Sequence, residues 1–175
     1  MICLDEFGPL ELRPVGGATW RPKKEPDRNP ATYTRPHGVR HMLAYYDLES
    51  DKLYGSIQRR KRNQEVLAFL KTIRKRYPMT TRLYIVLDNF SPHLHRRVRE
   101  WTRKNRVSLV FTPTNASWLN RIECHFGVLR KFVLHNSNYQ SHEELTDAIH
   151  RYIRWRNANA KDKRILRIQK RYDFS

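Results

Sequence analysis

Residues Arg82 to Leu87 read RLYIVL, a run that is nearly all apolar. A strand with one face in water alternates apolar and polar side chains, so an unbroken apolar run marks a central strand covered on both faces. Such a strand requires a sheet with helices on either side. Asp88 and Asn89 follow at once, then Ser91-Pro92, where Ser91 is read as a helix cap and Pro92 as the first helical position. Leu94, Val98 and Trp101 continue that helix at i, i+4 and i+7.

The remaining elements fit around this strand. Ile2 to Glu6 is read as a first strand that turns at Gly8-Pro9 into a second, Leu10 to Pro14. The stretch 15–40 is rich in Gly, Pro and basic residues and reads as a long surface loop. Strands follow at His41 to Asp47 and Leu53 to Ile57. Asn63 is then expected to cap a helix carrying Val66, Leu67, Leu70, Ile73 and Tyr77, ended by Pro78. Val107 to Phe111 is a further strand. Ser117 is expected to cap a helix from Trp118 to about His135, with Trp118, Ile122, Phe126, Leu129 and Val133 as its apolar stripe. Ser141 and Glu144 form a capping box for a last helix reaching about Asn157. The order, a meander followed by alternating helices and strands, predicts an α/β fold with a mixed sheet and helices on both faces.

With 175 residues, one domain is expected. Lys and Arg number 35 against 17 Asp and Glu, a formal net charge of +18. An excess of this size concentrates polyanions and makes their binding salt-dependent, so nucleic acid is the first partner to consider. Cys3 and Cys124 make neither a disulfide framework nor a zinc spacing, which suits a reducing, intracellular setting. No apolar run nears the roughly 18 residues of a membrane span, and the start MICLDEFG lacks the character of a signal peptide. A soluble, cytoplasmic protein with no membrane partner is expected.

Three acids stand where chemistry is one of the available readings. Asp5 lies within the first strand, Asp88 ends the central one, and Glu123 falls on the flank of the apolar stripe of its helix. Each has a plainer alternative: a tight hairpin at DEFG for Asp5, an Asx turn or helix cap for Asp88, a solvated helix acid for Glu123. With Ser91-Pro92 supplying the cap, Asp88 is read as free of the turn. Asn120, one turn before Glu123, is placed to orient it. Close carboxylates repel unless cations lie between them, and Mg²⁺ or Mn²⁺ prefers carboxylate oxygens. Two ions about 4 Å apart can activate a nucleophile and stabilise a leaving oxygen.

The stretches LDEFGPLEL, VLDNFSPH and TPTNASWLNRIECHFGVLRK resemble the catalytic blocks of the insertion sequence 630 family, the bacterial branch of the mariner superfamily of DDE transposases. The interval 123 − 88 = 35 leaves 34 intervening residues, similar to that branch's second-Asp-to-Glu spacing. The resemblance spans nearly the whole chain. It implies a ribonuclease H-like core, a five-stranded mixed sheet flanked by helices, over residues 1–158, with a basic tail over 159–175. It further implies Asp5, Asp88 and Glu123 as catalytic, metal-binding triad, two Mg²⁺ or Mn²⁺ ions, and Asn89 and Asn120 as accompanying positions. The implied activity is cleavage of double-stranded DNA at transposon ends and joining of the 3′ hydroxyl to a TA-containing target. The helix-turn-helix region that usually precedes such a core is expected to be absent, so a separate helix-turn-helix subunit and a homodimer enter as partners, with the bacterial nucleoid as the setting. A non-catalytic DNA-binding remnant of a truncated transposase is the alternative.

Other features have two readings each. His93 and His125 suit packing better than a zinc site, for want of a local ligand pair. The run RRKR at 59–62 and the basic residues from Arg151 onward, Arg156 among them, suit phosphate contacts or a solvated face. Trp20 suits packing or base stacking.

Overall fold

The structure is a computed structural model, and it describes residues 1–15 and 37–161. Most of the expected 15–40 loop, including Trp20, and the tail from residue 162 lie outside the described residues. Five strands form one sheet in the order β3-β2-β1-β4-β5: β1 Ile2–Glu11, β2 Val39–Asp47, β3 Lys52–Gln58, β4 Leu83–Leu87 and β5 Val107–Phe111. The β1–β2 and β2–β3 pairs are antiparallel, and β1–β4 and β4–β5 are parallel. The expected mixed five-stranded sheet is therefore present; its middle strand is β1, while β4, the apolar run, lies beside the edge strand β5 and is not covered on both faces as expected, since Tyr84 is half exposed.

The helices α1 Asn63–Arg74, α2 Ser91–Leu94, α3 Arg96–Lys104, α4 Glu123–Leu129 and α5 His142–Ala158 cover both faces. Period-two alternation divides β1 between two cores. Cys3 and Phe7 join a cluster with Phe126, Leu129 and Ile149 of α4 and α5. Ile2 and Leu4 join the opposite cluster with Leu70 and Ile73 of α1 and Val98 of α3. Asp5 shares the α4 side by parity, and Glu6 shares the other.

Several boundaries differ from the sequence expectation. Gly8-Pro9 does not turn a hairpin: β1 runs on to Glu11, and the register slips from Phe7↔Met42 to Leu10↔Arg40. Three steps on β1 against two on β2 make a bulge, which returns Leu10 to the face of Phe7 and buries it. Gly8 sits in this bulge at φ +154°, a conformation side-chain-bearing residues rarely adopt. The N-cap of α1 is Arg62, one residue before Asn63, because the Glu65 carboxylate accepts from the Arg62 backbone N–H at 2.9 Å. The helix ends at Arg74, short of Tyr77, and the Arg74 guanidinium donates to the carbonyls of Tyr77, Pro78 and Thr81. The helix after β4 is broken at His95, which caps α3 by accepting from Arg97 N–H at 3.2 Å.

Ser117 opens only a short 3-10 turn, Ser117–Leu119, and α4 starts at Glu123, passing into a π-helical turn over Arg130–Leu134. Trp118 is exposed and leaves the apolar stripe, whereas Ile122, Phe126, Leu129 and Val133 are buried. Ser141 caps α5 as expected, accepting from Glu144 N–H at 3.0 Å. Arg156 is no phosphate contact: it is fully buried, and its guanidinium donates to the Asp51 carbonyl and carboxylate, clamping α5 to the β2–β3 turn. Among the described residues no helix is long and apolar enough to cross a membrane.

Candidate active site

Cys3 of β1 pairs in parallel with Val86 of β4. Two residues further along each strand come Asp5 and Asp88, so the register sets these carboxyls side by side. Both follow the parity of Cys3 and Val86, whose side chains pack into the core under α4. Glu123, the first residue of α4, comes down on that same face. Three carboxyls, 118 residues apart at the extremes (123 − 5), thus meet where two neighbouring strands pass under one helix.

Asp5 is buried, and two hydrogen bonds fix its orientation: Glu6 N–H donates to Oδ1 at 2.7 Å and Asn120 Nδ2 donates to Oδ2 at 3.2 Å. Asn120 was expected to orient Glu123, yet it orients Asp5. It is fully buried, donates also to the Leu4 carbonyl at 2.8 Å, and its Oδ1 takes no hydrogen bond. This tie to β1 holds Asn120 in extended backbone, which explains why no continuous helix runs from Trp118.

The electrostatics are those of crowded acids. Burial, opposed by the Glu6 N–H bond and reinforced by the charges of Glu123, Asp88 and Glu6, pushes Asp5 up to about 7. Glu123 is also raised, first by burial and then by Asp88, against a lowering hydrogen bond with Asp5 and the Arg130 charge. Among the described residues no group of three or more His, Cys, Asp and Glu side chains stands as a ready chelating cluster. The donors are nonetheless all carboxylate oxygens with mutual repulsion to relieve, which suits a hard divalent cation.

Asp88 corrects the sequence reading. Its Oδ1 does make the Asx turn, accepting from Phe90 N–H at 3.0 Å, while Ser91 is the first residue of α2 and no side chain caps that helix. Turn and site are not alternatives, since Oδ2 takes no hydrogen bond from the described residues. Asn89 lies outside the trio and donates to the Thr112 carbonyl at 2.7 Å, linking the ends of β4 and β5. Asp88, Asn89 and the segment 112–117 line a cleft of about 360 Å³ beside the carboxyls.

Two contributors were not foreseen. His93 is completely buried between two acids, with Nε2 3.0 Å from Glu6 Oε1 and Nδ1 3.2 Å from Asp88 Oδ1. Burial alone would lower its pKa; the close contact and charge of Glu6, then the Asp88 carbonyl and charge, outweigh burial and raise it, although the Nε2–Oε1 pair is an ion-pair contact whose angle falls short of a hydrogen bond. Glu6 cannot share the face of Asp5, because alternation puts neighbouring residues on opposite faces of β1. That same alternation turns it toward α2, where it also meets Lys61 Nζ at 3.8 Å. Lys61, from the RRKR run, lies 4.5 Å over the Phe90 ring. His125 is a packing residue, buried with its ring 4.1 Å from that of Tyr46 and its pKa pushed by burial down to about 3.

Residues 1–146 match the family described as DDE superfamily endonuclease. Among solved structures, the Mos1 strand transfer complex superposes with a TM-score of 0.70 at 13% identity, over 98% of this chain and 52% of that one. The Mos1 mariner paired end complex with Mn gives 0.70 at 15% identity, again over 98% and 52%. A pre-cleavage Mos1 transpososome gives 0.66 at 12%, over 99% and 56%. The chain thus spans about half the length of these transposase chains, and their ribonuclease H-like sheet is the fold described above. No curated protein matches the sequence.

Proposed function

The chain belongs to the DDE superfamily endonucleases, and from that premise we propose that it is the catalytic core of a transposase of the insertion sequence 630 type, cleaving DNA at transposon ends and joining the 3′ hydroxyl to a TA-containing target. One observation carries the reading: the parallel register that sets Asp5 beside Asp88 beneath Glu123, with Asp5 raised to about 7 by burial and its acidic neighbours. The quoted sequence blocks and the Asp88 to Glu123 interval support the branch. Similarity to Mos1 paired-end complexes with Mn and with Mg supports a divalent cofactor.

In this reading Asp5, Asp88 and Glu123 hold two Mg²⁺ or Mn²⁺ ions. When bound, such ions activate the attacking oxygen and stabilise the leaving one. The chain's own contribution is orientation and charge. Glu6 N–H and Asn120 fix both oxygens of Asp5, and Phe90 N–H fixes one of Asp88. Arg96, Arg97, Arg99, Arg103 and Lys104, all exposed on α3, offer a cationic surface for phosphates. Recognition of the ends is not assigned to residues 1–158, and pairing of two ends calls for a second copy.

The test is a nicking and joining assay on duplex DNA carrying the element's ends, with Mg²⁺ or Mn²⁺. Wild type is expected to cut, and Asp88→Asn to fall to background with its melting transition intact. The +18 charge alone also favours a DNA-binding remnant without turnover. Equal behaviour of wild type and Asp88→Asn, with salt-sensitive binding in both, would select that second reading.

A further inference from the structure

The cluster around His93 is a buried polar feature beside the carboxyls that the proposed chemistry leaves unused. His93 is completely buried, lies on a four-residue helical turn, and touches an acid with each ring nitrogen: Glu6 through Nε2 and Asp88 through Nδ1. The Nδ1 also lies 3.2 Å from the Asp88 carbonyl. Around it, the Phe90 ring meets the His93 ring edge-on at 5.5 Å, Lys61 covers Phe90, and Lys61 faces Glu6. Each member is thus held by two others, and the circuit links the residue after Asp5 to Asp88.

What such a circuit does follows from Asp88 itself. A carboxylate just past a strand end can rotate, and either oxygen, or both, can face the site. Here Oδ1 accepts from Phe90 N–H and lies 3.2 Å from His93 Nδ1, whose own hydrogen bond is with the Asp88 carbonyl, and Oδ2 takes no hydrogen bond from the described residues. A ligand carboxylate whose second oxygen is held by a neighbour is oriented in advance, and loss of such a holder typically weakens metal affinity by about 10- to 100-fold. Phe90 N–H comes from the turn's own backbone and moves with it. His93 is different, because Glu6 anchors it to β1, the strand that carries Asp5.

We infer that His93, anchored by Glu6, is a positioning residue that holds Asp88 Oδ1 and presents Oδ2 alone toward Asp5 and Glu123. This rests on the proposed metal-binding role of Asp88. It assigns to the His of VLDNFSPH and the Glu of LDEFGPLEL a joint task that neither motif states by its spacing.

The test is Mn²⁺ binding to the whole chain, followed by titration calorimetry and Mn²⁺ electron paramagnetic resonance without DNA, alongside thermal melting. His93→Leu removes both contacts and is expected to weaken Mn²⁺ binding by about 10-fold or more. His93→Asn keeps a donor near the Nδ1 position and is expected to recover most of that loss. In case His93→Leu fails to fold, Glu6→Ala and Glu6→Gln ask the same question from the anchor, since Gln keeps the acceptor oxygen: Ala is expected to weaken binding and Gln to stay near wild type. A folded His93→Leu or Glu6→Ala with wild-type Mn²⁺ affinity overturns the inference while Asp88→Asn still loses binding. A wild type that binds no Mn²⁺, or an Asp88→Asn variant with unchanged affinity, overturns the metal reading and the positioning role together.

Discussion

Burial, reinforced by the neighbouring carboxylates, pushes the Asp5 carboxyl up to about 7, against an ordinary value of 3.8. A folded-state pKa raised above the unfolded one stabilises the fold fully below the unfolded value and loses that contribution as pH rises through the folded value. The metal-free protein is therefore expected to lose stability as pH rises between about pH 4 and pH 7. Thermal melts in EDTA across this range should show the melting temperature falling with pH, and Mg²⁺ or Mn²⁺ should restore it above pH 7. A flat profile in EDTA would speak against the crowding of acids. Asp5 and Glu123 were legible in the sequence as acids at places with weak structural excuses. Turn and chemistry at Asp88 are not exclusive, because a carboxylate has two oxygens and the turn occupies only Oδ1. Glu6 was illegible for a related reason: alternation removed it from the Asp5 face but carried no information on what waited on the other.

At the scale of elements, the strands are legible because apolar runs between turn residues have few other uses, yet the unbroken apolar run of β4 overstates its cover: Leu83, Ile85 and Leu87 are buried while Tyr84 is half exposed. The errors fall where a tertiary contact overrides a local signal. Gly8-Pro9 is turn chemistry by composition, yet the need to return Leu10 to the core makes it a bulge. Ser117 is a sound cap by type, yet Asn120 is drawn to the β1 backbone 116 residues away in sequence and delays the helix to Glu123. Asn120→Ala is thus expected to cost about 1 to 3 kcal/mol by leaving the Leu4 carbonyl without its buried donor. It should also lower cleavage activity by freeing Asp5. Urea melts and turnover measured on the same preparation check both effects. Arg156 was counted with the basic residues near the end of the chain, and only the fold shows it buried on Asp51. Arg156→Met leaves that acid and Tyr46 Oη, which donates to it at 2.9 Å, without their cation. A loss of about 3 to 5 kcal/mol in urea melts is expected, against almost none for the exposed Arg154→Met.

For the molecule as a whole, the charge of +18 foretold a polyanionic partner but not which surface meets it. The fold distributes the cations unevenly. Arg156 and Arg74 are spent inside, Lys61 is drawn to Glu6, and α3 turns five cations outward beside the helix that carries His93. If α3 follows the DNA backbone, each lost phosphate contact lowers the slope of log binding constant against log salt by about 0.9. Arg97→Glu with Arg103→Glu should then flatten that slope by nearly two, measured by fluorescence anisotropy with duplex DNA, whereas an unchanged slope would move the DNA to another face.

The central claim is that Asp5, Asp88 and Glu123 form one metal-binding site. Anomalous diffraction from crystals soaked in Mn²⁺ addresses it directly. Manganese bound among these three carboxyls, and absent from them in Asp88→Asn crystals, is the predicted result; manganese bound elsewhere on the chain and not among these carboxyls would contradict it.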